Sequence, residues 1–113
     1  SVFGCGGDRD PSKRPIMGQI GASLSDVAIF TSDNPRSEDP NAIIESMKGG
    51  LSAEELKKVL TISDRRLAIE EAVRLAKKGD IILCAGKGHE NYQEVKGEKS
   101  HFSDMEELQK AFI

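Results

Sequence analysis

The chain predicts an α/β domain whose sheet is largely parallel, flanked by helices, with one antiparallel element at an edge. Three observations carry that expectation. DVAIF at 26–30 and DIILC at 80–84 are almost continuously apolar, the pattern of strands covered on both faces. The segments between them have helical periodicity with capping residues at their starts. Strand and helix patterns therefore alternate along 113 residues, which is room for one domain with a single modest core, spanning 1–113.

The elements follow in order. SVF has strand character before Gly4 but is shorter than the usual strand, and no initiator methionine precedes it, so the chain is read as part of a longer protein with a partner domain upstream. In KRPIMGQIGASLSD, Ile16, Ile20 and Leu24 recur every four residues and are expected to share a buried helical face, with Pro15 in the first turn. DVAIFTS is the next strand. Asp39 followed by Pro40 is an N-cap with proline at N1, opening a helix that buries Ile43, Ile44 and Met47 and stops near Gly49 and Gly50. Ser52 and Glu55 have capping-box spacing, so a short helix is expected over SAEELKK, with VLTI a strand after it.

From Ser63, a longer helix is expected to bury Leu67, Ala68, Ala72, Leu75 and Ala76 and to end at Gly79. DIILCAG is a further buried strand. YQEVKGEKSHF alternates around Gly97 and fits a hairpin or an edge strand. Ser103 and Glu106 form another capping-box pattern, before a last helix with Met105, Leu108, Ala111 and Phe112 on its apolar side.

Composition excludes several classes. Lys and Arg total 16 against 19 Asp and Glu, a net charge of −3 without long blocks of either sign, which disfavours a nucleic-acid partner. No apolar stretch approaches the roughly 20 residues of a transmembrane helix, and no secretory leader is recognisable, so no membrane partner is expected and the cytoplasm is the expected home. Cys5 and Cys84 lack Cys or His neighbours at metal-ligand spacing and read as reduced, packed side chains.

In open parallel sheets ligands bind beyond the carboxyl ends of the strands. That rule selects three segments: GCGGDRD, TSDNPR and AGKGHENYQ. The first lacks the spacing of a dinucleotide fingerprint and the third that of a phosphate-binding Walker loop, so neither redox cofactor nor triphosphate is assigned to them. Together they offer guanidinium groups from Arg9 and Arg36, a carboxylate from Glu90, an amide from Asn34 and exposed backbone around Gly86. Arginine matches a carboxylate bidentately and Glu90 can accept from an ammonium, so the set suits a zwitterion. The alternative is that Arg9 and Arg36 form ordinary surface ion pairs, each worth about 0 to 1 kcal/mol. His89 reads as a locally hydrogen-bonding residue before a general base or ribose contact, and His101 as a solvated surface residue.

VFGCGGDRD, KRPIMG, TSDNPRSEDP and AGKGHENYQ, in this order and spacing, resemble the C-terminal domain of the Mur ligases over nearly all of the chain. The resemblance is to those members that add meso-diaminopimelate to UDP-N-acetylmuramoyl-L-alanyl-D-glutamate (UDP-MurNAc-L-Ala-D-Glu) in peptidoglycan synthesis. It implies a Rossmann-like fold, with a UDP-binding domain and a central ATPase domain lying upstream. It further implies that Arg9, Asn34, Arg36, Gly86 and Glu90 hold the incoming amino acid, that Asp33 and Pro35 shape the loop, and that Asp8 contacts the ribose of ATP. The activity implied is ATP-dependent ligation through an acyl phosphate, with ATP and Mg²⁺ held mainly by the central domain. Relatives that add L-lysine, folylpolyglutamate synthetase-like ligases and a free-standing amino-acid-binding module are the competing readings. In the family, DNPR marks the diaminopimelate-adding members, and here it is intact.

Overall fold

The computed structural model describes residues 1–112. Its main sheet contains three parallel strands in the order β1 (Val2–Phe3), β2 (Ala28–Phe30) and β3 (Val59–Thr61), with Val2 opposite Ile29 and Ile29 opposite Leu60. Residues 83–85 run parallel to the other side of β1. They are tied to it by Val2 N–H to the Leu83 carbonyl at 2.8 Å and Ala85 N–H to the Val2 carbonyl at 2.9 Å. The chain thus leaves β1 toward β2 and β3 and later returns to its opposite flank. The loops after β1 and after residue 85 diverge from this switch point, where a crevice opens beyond the strand ends.

The strand at 80–84 departs from expectation. It makes a single bridge, and Ile81 and Leu83 are 92% and 61% exposed. This segment lies on a flank of the sheet, where only the residues facing β1 and the helices are covered. Of the two forms expected for the antiparallel element the hairpin is found: β4 (Tyr92–Val95) and β5 (Glu98–His101) form their own two-stranded sheet around Gly97.

Alternation along the strands sends side chains to two apolar clusters. Phe3, Ala28 and Phe30 pack with Ile43, Ile44 and Met47 of α2 (Pro40–Lys48), the two rings meeting edge to face at 5.2 Å. Val2 and Ile29 point the other way, to Ala68, Ile69 and Ala72 of α4 (Arg65–Leu75), Phe102, and Leu108 and Ala111 of α5 (Asp104–Ala111). Each buried Ile or Phe contributes roughly 1.5–3 kcal/mol against the entropy of ordering the chain.

The caps behave as the sequence dictates. Asp39 accepts from Asn41 N–H ahead of Pro40, and Ser52 and Glu55 bond reciprocally at the start of α3 (Ala53–Leu56). Ser103 accepts from Glu106 N–H, but Glu106 turns its carboxylate to His101 at 2.6 Å, so that box is only half made.

Helix phases are where expectation fails. In α1 (Arg14–Leu24) the buried residues are Arg14, Gly18 and Ala22, while Ile16, Ile20 and Leu24 are 58%, 54% and 84% exposed. Close approach decides it: a Cβ on Gly18 would lie 2.0 Å from the Met47 carbonyl oxygen, so no side chain fits between α1 and α2 at that point. In α4 the buried stripe is Arg65, Ala68, Ile69 and Ala72, with Leu67 and Leu75 left exposed, because Arg65 is drawn inward by a carboxylate. That carboxylate belongs to Asp104, and Glu107 is buried beside it, so Met105 and Phe112 face outward on α5.

Candidate functional site

The three post-strand segments meet at one end of the sheet. Gly7 N–H donates to the Asn34 carbonyl at 2.8 Å, and a Cβ on Gly7 would stand 1.8 Å from the Pro35 carbonyl oxygen, so glycine is required for the first loop to lie on the second. The third loop arrives through Lys87. Its ammonium, on a side chain with no exposure, lies 3.0 Å from Asp33 Oδ1, 3.0 Å from Asn34 Oδ1 and 3.1 Å from the Tyr92 carbonyl.

The β4–β5 hairpin clamps the same loop. Gln93 Nε2 donates to the Asp33 carbonyl at 2.8 Å and Glu94 N–H to Asn34 Oδ1 at 3.0 Å. Arg36 N–H donates to the Glu94 carbonyl at 3.0 Å, and Lys96 N–H to the Arg36 carbonyl at 2.7 Å.

Arg36 occupies a left-handed conformation at φ 52°, which is strained for a residue with a Cβ. Its side chain is 18% exposed: Nη1 donates to the Gly7 carbonyl at 2.9 Å, and Nε lies 3.4 Å from Glu94 Oε1. Among the described residues Nη2 makes no hydrogen bond, so one prong of the fork is free. Arg9 is exposed and, among the described residues, donates only to the neighbouring Asp8 carbonyl, at 3.2 Å. Asn34 and Pro35 are buried, and the Asn34 amide nitrogen faces Glu90 Oε1 at 3.5 Å. Glu90 is half-buried, 3.8 Å from Lys87 Nζ. Gly86 turns the third loop at φ 103°.

Asp8 lies off this group. Also left-handed, at φ 55°, it takes Ser37 Oγ and N–H onto its two carboxylate oxygens. Its N–H donates to Glu38, which also receives a bidentate grip from Arg14 at 2.8 and 3.1 Å. The Arg14 hydrogen bonds, then the Asp8 N–H, hold the Glu38 carboxyl below its ordinary value, and Glu38 in turn raises Arg14. Burial pushes both thiols, Cys5 and Cys84, above the ordinary range, as expected for packed, unreactive cysteines. His89 is exposed.

Two residues that sequence reasoning passed over support the loops from below. One is Lys87. The other is Arg65, 1% exposed, which grips Asp104 bidentately at 2.7 Å and donates to the Ser32 and Ala85 carbonyls at 2.9 and 3.1 Å, the roots of the second and third loops. A signal for Arg65 did exist: a cation at the first position of a helix opposes the macrodipole and needs a partner elsewhere.

A groove of about 370 Å³ opens at the amino ends of the strands, lined in part by Leu24, Val27, Ile81 and Leu83. Its charged side chains, Asp26 and Asp80, have one sign, and the convergent donors and acceptors of a recognition site lie instead at the three loops. Among the described residues no three His, Cys, Asp or Glu side chains converge as a metal site, and no helix is long and apolar enough to cross a membrane.

Residues 1–88 match the model of the Mur ligase glutamate ligase domain. The chain belongs to the Mur ligase family. Several relatives within it carry the name UDP-N-acetylmuramoyl-L-alanyl-D-glutamate–2,6-diaminopimelate ligase. That of Bacteroides thetaiotaomicron is 58% identical over 112 residues, 99% of this chain and 23% of the relative. That of Geobacillus kaustophilus is 56% identical over 103 residues, 91% of this chain and 21% of the relative. A solved structure of a ligase of this name superposes with a TM-score of 0.89 at 44% identity, covering 97% of this chain and 23% of that one. The Mur ligase domain described here thus spans about a quarter of the length of these relatives, and its fold is the Rossmann-like one of the family.

Proposed function

We propose that residues 1–113 form the amino-acid-recognising domain of an ATP-dependent ligase that adds meso-diaminopimelate to UDP-MurNAc-L-Ala-D-Glu in peptidoglycan synthesis. The observation that carries this reading is the pattern of charges left over at the three loops. Lys87 is spent on Asp33, and Arg36 is steadied by Gly7 and Glu94. Arg9 and the free prong of Arg36 remain to meet a ligand, together with the Asn34 amide nitrogen and Glu90, which face each other at a long 3.5 Å. Two positive donors and one anion suit an amino acid that presents carboxylate and ammonium together. The names of the relatives supply the substrate.

Meso-diaminopimelate differs from lysine by a carboxylate on the carbon bearing the distal amine. A site built around Arg36 rejects lysine because the guanidinium loses its partner, a kind of discrimination that reaches on the order of 10⁴-fold. Asp33 and Pro35 shape the loop, Gly86 lets the third loop approach, and Asp8 is assigned to the ribose of ATP.

In the complete enzyme ATP phosphorylates the D-glutamate side-chain carboxylate. The free amine attacks the acyl carbon, forming the N–C bond as phosphate departs with the electrons of the C–O bond. This domain's part is to orient the amine within about 3–3.5 Å of that carbon. Magnesium, which neutralises phosphate charge, finds no cluster of ligands among the described residues and is assigned with the phosphate-gripping groups to other domains, upstream UDP-binding and ATPase units. The cytoplasm, where ATP and the nucleotide-linked substrate reside, is the proposed location.

The test is ligation by the intact protein with each amino acid in turn. A kcat/KM for meso-diaminopimelate exceeding that for L-lysine by about 10³-fold or more is expected. Comparable values for the two would sink the reading.

A further inference from the structure

Lys87 donates to Asn34 Oδ1 at 3.0 Å and to the Tyr92 carbonyl at 3.1 Å, and its ammonium is paired by charge with Asp33 Oδ1 at 3.0 Å. With its side chain wholly buried, it has no solvent to fall back on, so these partners fix it in place. Two of them bear on recognition. Asn34 Oδ1 receives both Lys87 Nζ and Glu94 N–H, the latter also at 3.0 Å, and two donors can face only the oxygen end of an amide. The nitrogen end is therefore turned the other way, toward Glu90 Oε1 at 3.5 Å. Glu90 Oε1, at 3.8 Å, stands just beyond hydrogen-bond reach of the same ammonium, which steadies the carboxylate without occupying it.

We propose that Lys87 is the positioning residue of the amino-acid subsite: its ammonium sets the Asn34 amide as a donor toward the substrate carboxylate and leaves Glu90 free for the substrate ammonium. This rests on the reading that the three loops hold the incoming amino acid. Lys87 touches no substrate itself. It acts as the partners of metal-ligating histidines do, by fixing the orientation of the groups that make contact.

The test uses the intact ligase and whichever amino acid the wild-type enzyme joins, so a wrong substrate assignment and a wrong role for Lys87 give different results. Lys87→Met keeps the volume and removes the ammonium. Its KM for that amino acid is expected to rise about 10- to 100-fold, as when outer-shell partners are removed, with the KM for ATP within about twofold of wild type. Lys87→Ala supplemented with n-propylammonium is expected to recover much of the loss, whereas n-propanol, alike in shape but uncharged, is not. An unchanged amino-acid KM in Lys87→Met, or equal rescue by alcohol and ammonium, would overturn the proposal. So would loss of the cooperative melting transition in both variants, which would assign Lys87 to stability alone. Wild-type ligation of an amino acid other than diaminopimelate would refute the substrate reading and leave Lys87 to be judged by the same KM.

Discussion

Arg36 combines two features that pull in opposite directions. Its left-handed backbone, at φ 52°, costs about 1 kcal/mol relative to glycine, while its guanidinium is held ready by Gly7 and Glu94. Arg36→Ala and Arg36→Gly both delete the fork, but only glycine relieves the backbone. In denaturant titrations Arg36→Gly is expected to be more stable than Arg36→Ala by about 1 kcal/mol, with both weak in diaminopimelate use. Equal stability of the two would mean that the backbone stores no strain. Arg65 makes the opposite case, a residue whose worth is structural. Removing one member of a buried, bidentate pair costs about 3–5 kcal/mol, so Arg65→Met is expected to lose roughly that much stability in urea titration, Asp104 being left buried and unpaired. The residues proposed to meet a ligand stood out because Arg, Asn and Glu clustered after apolar runs state their chemistry openly, and the structure does bring their loops together. Lys87 and Arg65 did not stand out, since each buried cation depends on partners distant in the chain, such as Ser32 for Arg65, 33 positions away, and Asn34 for Lys87, 53 positions away.

Elements were legible to the degree that local chemistry decides them. Asp39, Ser52 and Ser103 cap their helices as their identity requires, since a cap needs only the next three residues. The buried faces of α1 and α4 follow from neighbours the local pattern does not contain: the α2 backbone against Gly18, and Asp104 against Arg65. The hairpin was visible in its alternation, but its grip on the Asp33–Asn34 peptide through Gln93 and Glu94 was not. A second brace, Arg14 at the start of α1 holding Glu38 beside Asp8, ties the first and second loops together and should respond to pH. The Glu38 carboxyl is held below its ordinary 4.5, first by Arg14 and then by the Asp8 N–H. A depressed carboxylate stabilises the fold fully above the ordinary value, and that contribution fades as pH falls through the lowered one. Melting temperature measured from about pH 5 to 3 is expected to fall less steeply in Glu38→Gln than in wild type. Parallel slopes would remove the brace from the acid response.

At the scale of the molecule, a parallel sheet with its switch point at β1 gathers three loops on one rim and leaves them open, with Arg9 exposed and Glu90 half-buried. Such a rim suits the recognition proposed for it; the chemistry of ligation needs more. Forming an amide from a carboxylate requires a phosphorylated acyl group, a divalent cation against the transferring phosphate and exclusion of water from the acyl phosphate. Among the described residues no metal cluster exists, none of the three loops carries a phosphate-gripping Walker pattern, and the relatives extend over about four times this length. The 113 residues alone are therefore expected to release no phosphate from ATP and to form no amide when given diaminopimelate and UDP-MurNAc-L-Ala-D-Glu. The intact protein is expected to do both, since the proposed closure of this rim over an ATPase domain would bring amine and acyl phosphate together in a dry space. Phosphate release and product formation, followed side by side for the short chain and the intact protein, decide the matter. Turnover by the short chain would place the catalytic machinery inside these loops and undo the division of labour argued here.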